Sequence, residues 1–133
     1  MDETTKTKVG AKIKVLVVDD LAHVRQGLRT ILQLMEDMEV VGEASNGLEA
    51  VQLAEQLEPD VVLMDLEMPK LDGFEATQRI KDRHPAIGVV MITIHDSNSN
   101  REQATRVGVD AFVEKGTPIQ ALSEIIRQVW REE

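Results

Sequence analysis

The chain has 133 residues, 42% hydrophobic and 29% charged, the composition of a globular domain able to bury a real core. A formal net charge of -9, with Phe74, Phe112 and Trp130 as the only aromatic residues, argues against intrinsic nucleic-acid binding, which needs a basic face or stacking platforms. The absence of cysteine excludes disulfides and thiolate metal sites and fits a reducing cytoplasm, and no apolar run approaches the length of a membrane span.

Residues 1–11 are rich in Thr and Lys, lack the apolar stretch of a signal peptide, and read as a flexible N-terminal tail before one domain over residues 12–133. Residues 13–18 are β-branched and nearly all apolar, and they end at Asp19-Asp20, the pattern of a buried strand. Leu21, Val24, Leu28, Ile31, Leu32 and Met35 then recur at helical spacing. Residues 39–44 form a short second strand, and Asn46 with Glu49 opens a helix whose stripe is Ala50, Val51, Ala54 and Leu57. Pro59 stops that helix, and residues 61–64 make a third strand that ends in the single carboxylate of Asp65.

Asp72 with Glu75 resembles a capping box for a helix to about Arg83, closed by Pro85. Residues 89–93 are the fourth strand. Ser99 with Glu102 predicts the cap of a helix to Val107, stopped by Gly108. A fifth strand over residues 111–113 leads to Lys115, and Thr117-Pro118-Ile119-Gln120 places a cap, a first-turn proline and a third-position Gln ahead of the last helix. That helix carries Leu122, Ile125, Ile126 and Val129 on one side.

Five apolar strands alternating with five amphipathic helices predict an α/β domain, a (βα)5 doubly wound parallel sheet in the order 2-1-3-4-5. Its ligands bind at the carboxyl ends of the strands, where the order reverses between strands 1 and 3. Asp19, Asp20, Asp65, Thr93 and Lys115 all fall at strand tips on that edge. Three carboxylates gathered there repel one another, and a hard cation relieves the repulsion. With oxygen ligands and neither His nor Cys among them, Mg²⁺ is the natural choice. An Asp beside such a cation is a plausible nucleophile for a phosphoryl group, with Thr93 and Lys115 to hold its oxygens.

In combination these residues resemble the receiver domains of two-component response regulators, over about Lys12 to Arg131. The matching pattern is Val17-Val18-Asp19-Asp20, then Asp65-Leu66-Glu67-Met68-Pro69 with Asp72-Gly73, then Thr93, then Phe112 three residues before Lys115. The resemblance implies the flavodoxin-like fold and a phosphoryl group accepted on Asp65 from a histidine kinase or phosphotransfer protein. It implies Mg²⁺ held by Asp19, Asp20, Asp65 and the backbone carbonyl of Glu67. It makes Thr93 and Lys115 the partners of the phosphoryl group and Phe112 the aromatic that changes rotamer with Thr93. It also implies a cytoplasmic switch that assists its own phosphotransfer, acts on no small substrate, and is able to pair with a second copy on phosphorylation. Residues 23–29 and 40–44 are similar to receivers joined to LuxR-type DNA-binding domains, so the expected output is transcription through a domain outside this chain.

Two departures stand out. Gly116 follows Lys115 where the family often has proline in a cis bond, so a trans bond is expected. Ile94 follows Thr93 where a small residue is usual, and its bulk is expected to restrict access to the phosphoryl group. Glu67 and His95 lie two positions beyond Asp65 and Thr93, which makes them candidates for tuning phosphoryl lifetime.

Each residue also has an ordinary reading. An Asp-Asp pair is common at a turn, Thr93 suits a strand, Lys115 suits a solvated edge, and Phe112 is in part a core residue. The methionines read as packing, and His23 and His84 as surface residues. The competing function is a Mg²⁺-dependent hydrolase of the haloacid-dehalogenase type. That chemistry wants Asp where this chain has Glu67, and it wants a cap insertion that this chain lacks. A flavin binder is a third reading, opposed by the acidic crevice.

Overall fold

Each short apolar run becomes a strand and each amphipathic run a helix, in strict alternation. The order is β1 Ile13–Val18, α1 Ala22–Gln33, β2 Met38–Ala44, α2 Gly47–Leu57, β3 Val61–Asp65, α3 Gly73–Arg83, β4 Gly88–Thr93, α4 Asn98–Val107, β5 Ala111–Glu114 and α5 Ile119–Glu132. This computed structural model describes residues 11–132, so the tail expected over residues 1–11 lies, but for Ala11, outside the described residues. All strands pair in parallel in the order β2-β1-β3-β4-β5, as expected.

The strands are apolar at nearly every position because both faces of the sheet are covered. On one face Leu16, Val18, Met64 and Met91 pack with Ala50, Ala54, Phe74, Ala76, Ile80 and Ala104 of α2, α3 and α4. On the other, Ile13, Val15, Val17, Leu63 and Val90 pack with Leu32 of α1 and Leu122, Ile126 and Val129 of α5. Trp130 is partly buried against this second core, the default reading of its place near the end of the last helix. Register holds along β1 and β3, from Val15 opposite Val61 to Val18 opposite Met64, which brings Asp19 and Asp65 out at the same edge.

Most sequence-derived boundaries hold to within a residue or two. Asn46 and Asp72 cap α2 and α3 by accepting from the backbone N–H of Glu49 and Glu75, each at 2.9 Å. The predicted cap of α4 is wrong. Ser97, not Ser99, accepts from Asn100 N at 3.1 Å, because α4 starts one residue before Ser99. The Thr117 hydroxyl turns back to donate to the Glu114 carbonyl at 2.8 Å. The described residues hold no cis peptide bond, and the turn after Lys115 is made by Gly116 at φ 93°. α1 is lightly embedded: Leu32 is its one buried residue, as Ala104 is of α4, Leu21 at its N-cap is 46% exposed, and Ile31 is 39% exposed.

Candidate functional site at the carboxyl edge of the sheet

Strand geometry delivers the acidic residues. β1 ends at Val18, so Asp19 emerges buried and Asp20 exposed, while β3 carries Asp65 at its last, fully packed position. One carboxylate oxygen from each of Asp19, Asp20 and Asp65 lies within 4.8 Å of the others. The Asp19 carboxylate is fixed by Leu21 N, which donates to Oδ1 at 2.9 Å. Its carbonyl accepts from Arg25 Nη1 at 2.6 Å, and Arg25 with Arg29 is tied to Glu43 of β2. Sequence reasoning missed this brace. Its one signal was the i, i+4 spacing of two arginines on α1, which also suits a solvated face.

Lys115 reaches into the carboxylates, with Nζ 3.4 Å from both Asp19 Oδ2 and Asp65 Oδ1. That is ion-pair range. Asp65 Oδ1 remains a buried oxygen with no hydrogen-bond partner. Burial, and then the charge of Asp19, push the Asp65 carboxyl up to about 6, while Lys115 pulls the other way. For Lys115 burial works against the ammonium, but the charges of Asp65 and Asp19 outweigh it and its pKa is raised. An acidic cluster with an orphaned inward oxygen and a single lysine suits a hard divalent cation: the donors are oxygens, and the negative charge is uncompensated.

Thr93, at the tip of β4, is fully buried. Its hydroxyl donates to Glu67 Oε2 at 2.9 Å and Oε1 at 3.2 Å, and it accepts from His95 N at 2.9 Å. His95 Nδ1 lies 3.0 Å from Glu67 Oε2, so the two residues singled out from their positions meet on the same hydroxyl. Ile94 is 65% exposed at this rim. Phe112 is half-buried on β5, opposite Met91 of β4, with the Arg101 guanidinium 5.0 Å from its ring centre. His23 is exposed. His84 is half-buried, with Nε2 3.0 Å from Glu55 Oε1.

Beside Lys115 a cavity of ≈ 190 Å³ opens, lined by Val18, Val24, Leu28, Leu63, Ile92 and Leu122 together with Asp19, Asp65 and Lys115 of the site itself. It is smaller than the ~300 Å³ at which small-molecule sites begin.

The family model for the response regulator receiver domain matches residues 15–127. The chain belongs to the response regulator receiver family. Response regulator protein VraR of Staphylococcus saprophyticus is 40% identical over 121 residues, 91% of this chain and 58% of the relative. VraR of Staphylococcus aureus is 41% identical over the same span. The chain thus spans 58% of the length of these curated relatives. Among solved structures, the response regulator domain of Thermotoga maritima CheB superposes with a TM-score of 0.83 at 38% identity, covering 90% of this chain and 96% of that one. A LuxR-family DNA-binding response regulator from Staphylococcus aureus gives 0.84 at 32% identity, covering 89% of this chain and 98% of that one. The protein is therefore a two-component receiver domain, and the hydrolase alternative finds no support.

Proposed function

We propose that Asp65 is the phosphoacceptor of this receiver and that its phosphorylation repacks the edge formed by β4, α4 and β5. The observation that carries this reading is the orphaned, buried Asp65 oxygen, set between Lys115 and two further carboxylates. Asp19, Asp20, Asp65 and the Glu67 carbonyl would hold Mg²⁺, which when bound neutralises charge on the phosphoryl oxygens.

An Asp65 oxygen attacks the phosphorus of a phosphohistidine on a kinase or phosphotransfer protein. The O–P bond forms as the P–N bond breaks, and the imidazole leaves with the electron pair and takes a proton from water. Lys115 already stands at the acceptor and pairs with the transferred group. The new oxygens compete with Glu67 for the Thr93 hydroxyl, and Thr93 moves inward with Phe112. Glu67 and His95, placed on the rim, set how readily water reaches the acyl phosphate, and the exposed Ile94 beside them narrows the approach.

The domain thus assists its own phosphotransfer and dephosphorylation without turning over a small substrate. It works in the cytoplasm, pairs with a second copy when phosphorylated, and has transcription as its output, a reading supported by the LuxR-family DNA-binding relative. The test is incubation with acetyl phosphate and Mg²⁺, followed by intact-mass analysis. Stoichiometric phosphorylation that is abolished in Asp65→Asn and by chelation is expected. Multiple turnover of phosphate esters, or phosphorylation that persists in Asp65→Asn, overturns the assignment.

A further inference from the structure

Thr93 and Phe112 sit on adjacent strands but not at the same level. Thr93 stands opposite Glu114, whereas Phe112 is opposite Met91, two positions back along β4. The connection from β4 to α4 also links the tip of β4 to the ring.

From Thr93 outward, His95 N donates to the Thr93 hydroxyl at 2.9 Å, and Asn100 Nδ2 of α4 donates to the His95 carbonyl at 2.8 Å. The next residue, Asp96, takes both arms of the Arg101 fork, Nε at 2.6 Å and Nη2 at 2.9 Å. The guanidinium carbon of the same side chain lies over the Phe112 ring, 5.0 Å from its centre. A lone exposed ion pair contributes little. Here one planar group makes a bidentate contact to Asp96 and a cation–ring contact to Phe112, and the bidentate fork is what the point charge of lysine does not reproduce.

We propose that Arg101 is a positioning residue of the switch: it clamps the Phe112 ring to the loop that follows Thr93, so that movement of the hydroxyl is transmitted to the ring. In the resting domain the Asp96–Arg101 pair holds the ring in its half-buried place. When Thr93 turns toward Asp65, His95 N follows the hydroxyl oxygen, Asp96 moves with it, and Arg101 is drawn off the ring. This inference rests on the phosphoacceptor reading above.

The experiment uses beryllofluoride with Mg²⁺ as the phosphoryl mimic, and Phe112 ring resonances as the readout. It compares the wild type, Arg101→Met, Arg101→Lys, Phe112→Leu and the double variant Arg101→Met/Phe112→Leu. Without the mimic, Arg101→Met is expected to move the Phe112 ring shifts toward their mimic-bound values. Its beryllofluoride midpoint is expected to fall by about threefold, the scale of an exposed cation–π contact. Arg101→Lys, which keeps a cation for the ring but loses the fork to Asp96, should fall between the wild type and Arg101→Met. In the Phe112→Leu background the effect of Arg101→Met should vanish.

Unchanged ring shifts and midpoint in Arg101→Met, with the wild type binding the mimic at Asp65, overturn the role of Arg101 alone. An undiminished effect in the Phe112→Leu background overturns it as well. Failure of the wild type to bind the mimic in an Asp65-dependent way overturns the phosphoacceptor reading and the clamp with it.

Discussion

Replacing Glu67 by alanine separates two roles assigned to one residue, because the backbone carbonyl expected to face the metal is kept while the side chain that engages Thr93 is lost. In the resting domain the Thr93 hydroxyl hydrogen is committed to the Glu67 carboxylate at 2.9 Å, and a phosphoryl group on Asp65 has to win it away. A hydrogen bond to a charged group contributes about 1.5–3 kcal/mol. The Glu67 side chain is 43% exposed, so the lower end applies. Since about 1.4 kcal/mol is a factor of ten, Glu67→Ala is expected to bind beryllofluoride about tenfold more tightly at saturating Mg²⁺. Glu67→Gln retains a neutral acceptor, worth about 0.5–1.5 kcal/mol, and should fall between the two. The assay is a beryllofluoride titration followed through the amide resonances of His95 and Lys115. No gain in Glu67→Ala refutes the competition for Thr93. Equal gains in both variants refute it too, by assigning the effect to charge alone.

Asp65→Asn should stabilise the fold at neutral pH. The folded-state pKa of about 6 lies above the ordinary 3.8, so the cost of ionising Asp65 builds up as pH rises through that window and is constant above it. That interval is worth at most roughly 3 kcal/mol. The gain in melting temperature should therefore be clear at neutral pH and absent near pH 4, and a gain that persists in acid would contradict the assignment. Thr77 has a fully buried hydroxyl with no hydrogen-bond partner, so Thr77→Val should raise the unfolding free energy measured in urea by up to about 1 kcal/mol, whereas Thr77→Ser should lower it. Two helical glycines should respond with opposite signs in the same unfolding assay. Gly27→Ala meets nothing within 4 Å and should gain about 0.5–1 kcal/mol. Gly47→Ala would set its Cβ 2.0 Å from the Leu71 carbonyl oxygen and should lose about 1–3 kcal/mol.

The fold was legible because a doubly wound sheet announces itself through uninterrupted apolar strands and amphipathic helices, and because parallel strands put every tip on one edge. Asp19, Asp20, Asp65 and Lys115 were therefore brought together by topology before any side chain was placed. What the sequence withheld was side-chain direction. Glu67 was read for its carbonyl and for lifetime, yet its carboxylate turns to Thr93, which requires the β3–α3 loop to fold back toward β4. That loop is shaped by two left-handed residues, Lys70 at φ 53° and Leu71 at φ 90°, neither of which is a glycine that would have flagged the turn. Arg101 was equally invisible. At the first turn of a polar helix it looks like a solvated charge, and its partners, Asp96 and Phe112, lie five residues before it and on another strand. The misplaced cap of α4 has a similar origin, since the run 96–100 offers several capping side chains and spacing alone does not choose among them.

The light anchoring of α1 sets a kinetic hierarchy at the site. Beyond the Arg25 and Arg29 contacts, the helix has one buried side chain, no side-chain cap at Leu21 and a glycine in its middle. Its amides should exchange with solvent through brief local openings, well below the free energy of global unfolding, while those of β1 and β3 wait for the whole domain to open. Arg25 belongs to this helix, and its guanidinium braces the Asp19 carbonyl. Each opening of α1 therefore slackens one wall of the acidic crevice and leaves the Asp65 strand in place, so the nucleophile keeps its aim while the ligands beside it breathe.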